Sequence, residues 1–201
     1  MSLFDESLWS PLVWMDFRLA VLFTVILPLV LLVWAFAKNN EAIVRLFGIY
    51  WKVASLLMIS VYLMIASLPI AFLSGFLARV LIPISLWFWV DLNDEIADLQ
   101  PLLLKLSFRS WRWAATIYCA IGLLFQLPSL QCAALPTEAV VETSLCRVWL
   151  EPPWGYQAIF HPNGSPQVLG FLGITGLTIY LLYFLYFCFI RLGRSGRSAM
   201  G

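Results

Sequence analysis

Residues 19–37 read LAVLFTVILPLVLLVWAFA, and every residue of this stretch is apolar except Thr24 and Pro28. A helix needs about 20 predominantly apolar residues to cross the hydrocarbon core of a bilayer, so the stretch is typical of a membrane-spanning helix. The whole chain shares this character, because 62% of its 201 residues are apolar, 11% are charged and the mean hydropathy is +0.90. Soluble domains carry about 25% charged residues. The composition therefore predicts an integral membrane protein.

The apolar stretches predict an all-α, polytopic membrane protein that forms a single transmembrane domain. Five spans are expected, over about residues 17–37, 46–68, 70–90, 111–127 and 168–190. The polar segment 128–167 is predicted as an outer loop, and its six prolines exclude one long helix there. An acidic N-terminus, with Asp5 and Glu6, predicts that no cleavable signal peptide is present.

Basic residues predict the orientation, because Lys and Arg are retained on the cytoplasmic side of short loops. Nine fall on one side of a five-span arrangement and two on the other. The nine are Lys38, Arg45, Lys52, Lys105, Arg109, Arg112, Arg191, Arg194 and Arg197. The N-terminus is therefore predicted outside, or in the lumen of a thylakoid, and the C-terminus in the cytoplasm.

Arg79 falls within the third predicted span, where a charge costs about 2.5–3.5 kcal/mol and marks a functional site by default. No Asp or Glu lies deep in any predicted span to pair with it. One interpretation is that Arg79 meets an anion from elsewhere, such as a lipid phosphate, a substrate or a carboxylate of another subunit. The other places a turn at residues 74–75 and lets Arg79 reach the outer interface. Pro28 and Pro83 either open a cavity near Arg79 or only bend their helices.

Cys132 and Cys146 both lie in the predicted outer loop, in a compartment that permits disulfides. A bridge closing this interval of about 15 residues would stabilise the fold by roughly 3 kcal/mol. Free thiols and a redox-active pair are the alternatives, and no C-x-x-C spacing favours the latter. Cys119 and Cys188 lie in spans, where cysteine usually acts as a small apolar residue.

An acidic cluster follows the third span. Asp91, Asp94, Glu95 and Asp98 would share one face of a helix, and grouped carboxylates can hold Mg²⁺ or Ca²⁺. They are weak candidates for a metal site, and the alternative is a short interfacial helix with an acidic, solvated face. No metal site is predicted.

A stripe of small residues marks the fifth span. Gly170, Gly173 and Gly176 recur every third residue, which lets another backbone approach closely. We interpret the stripe as a helix-packing face, either within this chain or towards another subunit.

Catalytic motifs are missing from the sequence. It has no G-x-S-x-G, no H-E-x-x-H and no phosphate-binding loop, and its one histidine, His161, lies in the turn sequence FHPNG. We therefore expect a protein that is not an enzyme and has no cofactor. The net charge of +1 predicts no nucleic-acid partner.

Four segments carry a resemblance to a known family. They are PLVWMDFRLAVLF at 11–23, LIPISLWFWVDLN at 81–93, SWRW at 110–113 and RLGRSGR at 191–197. The chain resembles a family of small multi-pass membrane proteins from cyanobacteria without an assigned activity. The resemblance implies a thylakoid or plasma-membrane location, and work alongside a photosynthetic or respiratory complex.

Two functions follow as hypotheses. The first is a non-enzymatic assembly factor or accessory subunit that contacts the lipid bilayer and other integral membrane subunits. The second is a small transporter or lipid-handling protein in which Arg79 binds an anion. An intramembrane enzyme using the carboxylates of 91–98 and a metal is the least favoured.

Overall fold

The computed structural model describes residues 6–100 and 103–199, and these residues form helices and no strands. The α-helices are α1 Glu6–Val21, α2 Leu27–Ala37, α3 Glu41–Ile65, α4 Ile70–Trp87, α5 Val90–Asp98, α6 Leu103–Gln126, α7 Thr137–Glu142, α8 Ser144–Phe160, α9 Pro166–Tyr186 and α10 Leu192–Ser195. Single-turn π-helices, Leu22–Ile26 and Phe187–Arg191, join α1 to α2 and α9 to α10. A 3₁₀-helix, Leu127–Ala134, continues α6.

Five helical segments of the described chain are long and apolar enough to cross a membrane, which confirms the predicted all-α, five-span class. They are Leu8–Ala37, Glu41–Ile65, Ile70–Trp87, Leu103–Ala134 and Pro166–Arg191. The first and fourth are longer than predicted, at 30 and 32 residues. Charged residues such as Asp16 and Arg112 lie inside these two segments. They lower the local hydropathy, so the hydropathy pattern ends before the helix does. The orientation of the termini stays a prediction.

The first span contains the π-helix Leu22–Ile26 beside Pro28, and side chains of neighbouring helices donate hydrogen bonds to two of its backbone carbonyls. Proline has no N–H, so the carbonyl of Thr24, four residues earlier, loses its helical partner. The Tyr50 hydroxyl donates to this carbonyl at 2.7 Å, and the indole N–H of Trp111 donates to the Phe23 carbonyl at 2.8 Å. These bonds tie the bend to α3 and α6, as a freed backbone group in a membrane requires.

The segment predicted as an outer loop is largely helical, and four of its six prolines stand at the start of a helix or between helices. Pro152 and Pro153 lie inside α8, which packs against α1. Glu151 accepts hydrogen bonds from the Ser10 hydroxyl at 2.6 Å and the Trp14 indole at 3.3 Å. A Cβ at Gly155 would lie 2.5 Å from the Trp14 ring, so only glycine permits this approach.

The position of α8 defines two ends of the bundle. The Trp154 indole donates to the Ile65 carbonyl at the end of α3, at 3.3 Å. Together with the Ser10 contact, this places α8 beside the start of α1 and the end of α3. We call this end the α8 side. The distribution of basic residues predicts that the α8 side is the outer or lumenal side.

Candidate functional site

Arg79 is paired with Asp16 in the interior of the bundle. The two residues are 7% and 9% exposed, and Arg79 Nη1 donates to Asp16 Oδ1 at 3.0 Å while Nη2 donates to Oδ2. The expectation that no carboxylate reaches Arg79 is therefore wrong, as is the alternative in which it extends to the interface. The reason lies in α1, which begins well before residue 17 and carries Asp16 into the first span.

The pair lies deep in the helical bundle. Asp16 follows the start of its span at Leu8 by eight residues, and Arg79 follows Ile70 by nine. Since an α-helix rises about 1.5 Å per residue, both lie about 12–14 Å from the α8 side. The pair therefore lies well inside two of the segments that are long and apolar enough to cross a membrane.

Two residues of α6 complete the surroundings of the pair. The Tyr118 hydroxyl donates to Asp16 Oδ1 at 3.0 Å and to the Asp16 carbonyl at 2.9 Å. Gly122 lies one turn further on, and a Cβ there would be 1.8 Å from Arg79 Nη1. The guanidinium of Arg79 therefore occupies the space that a side chain at position 122 would fill.

The ion pair borders a crevice of about 340 Å³ between α1 and α3. Its walls are mostly apolar, α4 contributes Gly75 and Arg79, and α8 contributes Trp149 and Tyr156. Polar groups along it include Thr24, Ser60 and Gln126. Among the described atoms, Gln126 Oε1 and Trp149 Nε1 are buried without a hydrogen-bond partner. The crevice therefore combines apolar walls with a few buried polar groups, which is the character of a small-molecule site.

Tyr156 and His161 lie near the α8 end of this region. His161 Nε2 is 3.0 Å from the Tyr62 hydroxyl. It occupies a turn, as predicted, and is half-buried. Burial and the neighbouring Tyr62 raise the pKa of Tyr156.

The structure joins Cys132 and Cys146 in a disulfide, with a Cα–Cα distance of 5.8 Å. Both half-cystines are fully buried. The bridge connects the 3₁₀-helix after α6 to α8, so it holds α8 on the α8 side of the bundle. Cys119 is buried as a free thiol, and Cys188 is half-buried.

The acidic cluster does not converge on one point. Asp91 Oδ2 accepts from the Ser198 hydroxyl and the Ala199 amide at 3.0 and 2.8 Å, whereas Glu95 pairs with Arg45. No group of three or more His, Cys, Asp or Glu residues that could hold a metal occurs in residues 6–100 and 103–199. Asp94 and Asp98 share the same short helix, α5.

The glycine stripe packs within the chain. A Cβ at Gly170 would lie 2.4 Å from that of Ala66, and one at Gly173 would lie 3.1 Å from the backbone nitrogen of Leu63. Gly176 faces Ile59 in the same way, at 3.2 Å. The stripe therefore lets α9 approach α3 closely, and it is not a free surface for another subunit.

Sequence reasoning missed Asp16 and Gly122 as site residues. One signal for Asp16 was present, since residues 8–15 before it are largely apolar and continue the first apolar stretch towards the N-terminus. Nothing in the sequence marks Gly122 as the space for a guanidinium, because that depends on how α4 and α6 face each other.

One protein-family model, described as "Protein of unknown function (DUF3177)", matches residues 10–200. No curated protein matches the chain. No solved structure matches it either.

Proposed function

The chain belongs to the DUF3177 family of proteins of unknown function, and we propose that it is a non-enzymatic membrane protein. In this proposal it binds an amphiphilic small molecule in the crevice between α1 and α3. The observation that carries the proposal is the buried Asp16–Arg79 pair on an apolar crevice of about 340 Å³. A buried ion pair contributes little net stability compared with well-packed apolar residues. Its presence inside a bundle of spanning helices is better explained by a ligand than by folding.

The chemistry of the crevice favours one class of ligand. Apolar walls suit hydrocarbon, and the ion pair offers both a donor and an acceptor to a polar head group. Asp16 already neutralises Arg79, so an isolated anion would have to displace its carboxylate. A zwitterionic or uncharged hydrogen-bonding head group fits without that exchange. This revises the hypothesis in which Arg79 alone binds an anion.

The hypothesis of an assembly factor or accessory subunit stays a prediction. Two features that motivated it, an unpaired Arg79 and an unoccupied glycine stripe, are accounted for by Asp16 and α3 within the chain. A cyanobacterial thylakoid or plasma membrane likewise rests on the resemblance of the sequence segments. Multi-pass membrane insertion itself is supported by five apolar helices.

Filling the crevice tests the proposal. Ala20 lines the crevice, and Ala120 lies exposed on α6. Tagged wild-type protein, Ala20→Phe and the matched control Ala120→Phe are purified from native membranes in mild detergent, and bound small molecules are identified by native mass spectrometry. We expect a specific amphiphile with the wild type and Ala120→Phe, and its loss from Ala20→Phe.

Folding is monitored by gel filtration and by thermal unfolding. If correctly folded Ala20→Phe protein retains the same bound molecule as the wild type, the crevice is not its site and the proposal fails. If the wild type carries no specific amphiphile but migrates with other membrane subunits on native gels, the accessory-subunit hypothesis replaces it.

A further inference from the structure

A second polar feature lies at the end of the bundle away from α8, where α4 ends and α6 begins. Arg112 is only 6% exposed, and its guanidinium carbon lies 3.6 Å from the ring centroid of Trp87, the last residue of α4. Trp113 packs on the same ring, with centroids 4.8 Å apart. Arg112 is therefore a buried cation in contact with an aromatic face.

Unlike Arg79, Arg112 has no carboxylate partner among the described residues. The ion pairs there are Arg45–Glu95 and Arg79–Asp16. Arg112 Nε is buried and makes no hydrogen bond. An uncompensated buried charge is strongly unfavourable, and a cation–π contact recovers only about 2 kcal/mol of that cost. A buried cation in these surroundings is suited to bind an anion.

The residues around Arg112 add positive charge. They border a pocket of about 320 Å³ that also includes Lys105 and Arg109, and no Asp or Glu lines its described part. Residues 105, 109 and 112 are spaced so that they share one face of α6. Lys105 is fixed there, because its Nζ donates to the carbonyls of Ala97 and Leu99 at 2.7 and 2.5 Å.

We propose that this pocket, which we call the Arg112 pocket, binds a phosphate-type anion, in the form of an anionic phospholipid head group. A guanidinium forks onto two oxygens of such a group, and its charge-assisted hydrogen bonds would satisfy the buried Nε. Basic pockets between helices at one membrane face, bordered by tryptophan, are typical of lipid head-group sites. The site is distinct from the crevice, which lies at the other end of α6 and carries a compensated cation.

Thermal unfolding of purified protein tests the proposal. Wild type, Arg112→Gln and Arg109→Gln are measured in a neutral detergent with added phosphatidylglycerol, phosphatidylcholine or inorganic phosphate. Arg147→Gln is the matched control, because it removes the same charge from an exposed position on the α8 side. Arg109 is exposed, so Arg109→Gln keeps the packing if Arg112→Gln fails to fold.

Phosphatidylglycerol should raise the unfolding temperature of the wild type and of Arg147→Gln, and phosphatidylcholine should not. Arg112→Gln should weaken the apparent affinity for phosphatidylglycerol about ten-fold or more, from the loss of one charge-assisted contact, and Arg109→Gln should weaken it less. A shift produced by inorganic phosphate alone and lost in Arg112→Gln would keep the anion site but assign it to a soluble ligand. Equal stabilisation of wild type, Arg109→Gln and Arg112→Gln, or no effect of any anion on the wild type, would overturn the proposal.

Discussion

Removing one partner of the Asp16–Arg79 pair should cost far more than removing both. Asp16→Asn leaves the guanidinium of Arg79 buried at 7% exposure without a counter-charge. It also weakens the acceptor of the Tyr118 hydroxyl, now 3.0 Å from Asp16 Oδ1. Arg79→Gln leaves the carboxylate in the same position. Both single variants therefore create an uncompensated charge in the interior.

The expected magnitude follows from buried pairs in general. Breaking such a pair by removing one partner costs about 3–5 kcal/mol, whereas replacing both partners with apolar residues of similar size is neutral or stabilising. We expect each single variant to lose about that amount of unfolding free energy. Asp16→Asn combined with Arg79→Gln should recover much of it, and Asp16→Leu combined with Arg79→Met should be at least as stable as the wild type.

Denaturant titration of the protein in mixed micelles measures this coupling. The four proteins of the Asp16→Asn and Arg79→Gln cycle are unfolded under identical conditions, and the free energies are compared. A coupling energy of several kcal/mol supports a buried, direct pair. Additivity within about 0.5 kcal/mol would mean that the two groups act independently, and it would refute the geometry described for the site.

Three further predictions concern close packing and the disulfide. Gly122→Ala should destabilise the wild type, since its Cβ would lie 1.8 Å from a guanidinium nitrogen, and should cost much less in the Arg79→Gln background, as a thermal-unfolding comparison will show. Gly170→Ala should lower the unfolding temperature. Its control is Gly48→Ala, where the new Cβ has open space; this change should be neutral or should stabilise the helix by up to about 1 kcal/mol through helix propensity. Equal effects of the two substitutions would rule out the α9–α3 contact. Cys132→Ser should lower the unfolding free energy by about 3 kcal/mol. Alkylation of denatured, unreduced wild type should label two thiols, and labelling of four would contradict the bridge.

The class of fold could be predicted from the sequence, because the hydropathy of a spanning helix depends only on consecutive residues and not on tertiary contacts. A run such as residues 168–190 contains no charged residue, and only a spanning helix accommodates it. The same local measure failed at the first span, since Asp16 and Arg18 lower the hydropathy of residues that are helical in the structure. Segment 128–167 was harder still, because α8 is stabilised by contacts with α1 that no local pattern contains.

The candidate site was only half visible for a related reason. Arg79 can be identified from the sequence, because it is a single charge within an apolar stretch, whichever residue it pairs with. Its partner is 63 residues away in the chain, and the pairing depends on the rotation of α1 against α4. The sequence places Arg112 only among the basic residues predicted on the cytoplasmic side, because its burial against Trp87 also depends on tertiary packing.

A cryo-EM map of the wild-type protein in lipid nanodiscs tests the central claim most directly. We predict density for a bound amphiphile between α1 and α3, with its polar end against a paired Asp16 and Arg79. A map in which this space is closed by side chains, or in which Asp16 faces the surrounding lipid away from Arg79, would contradict the account.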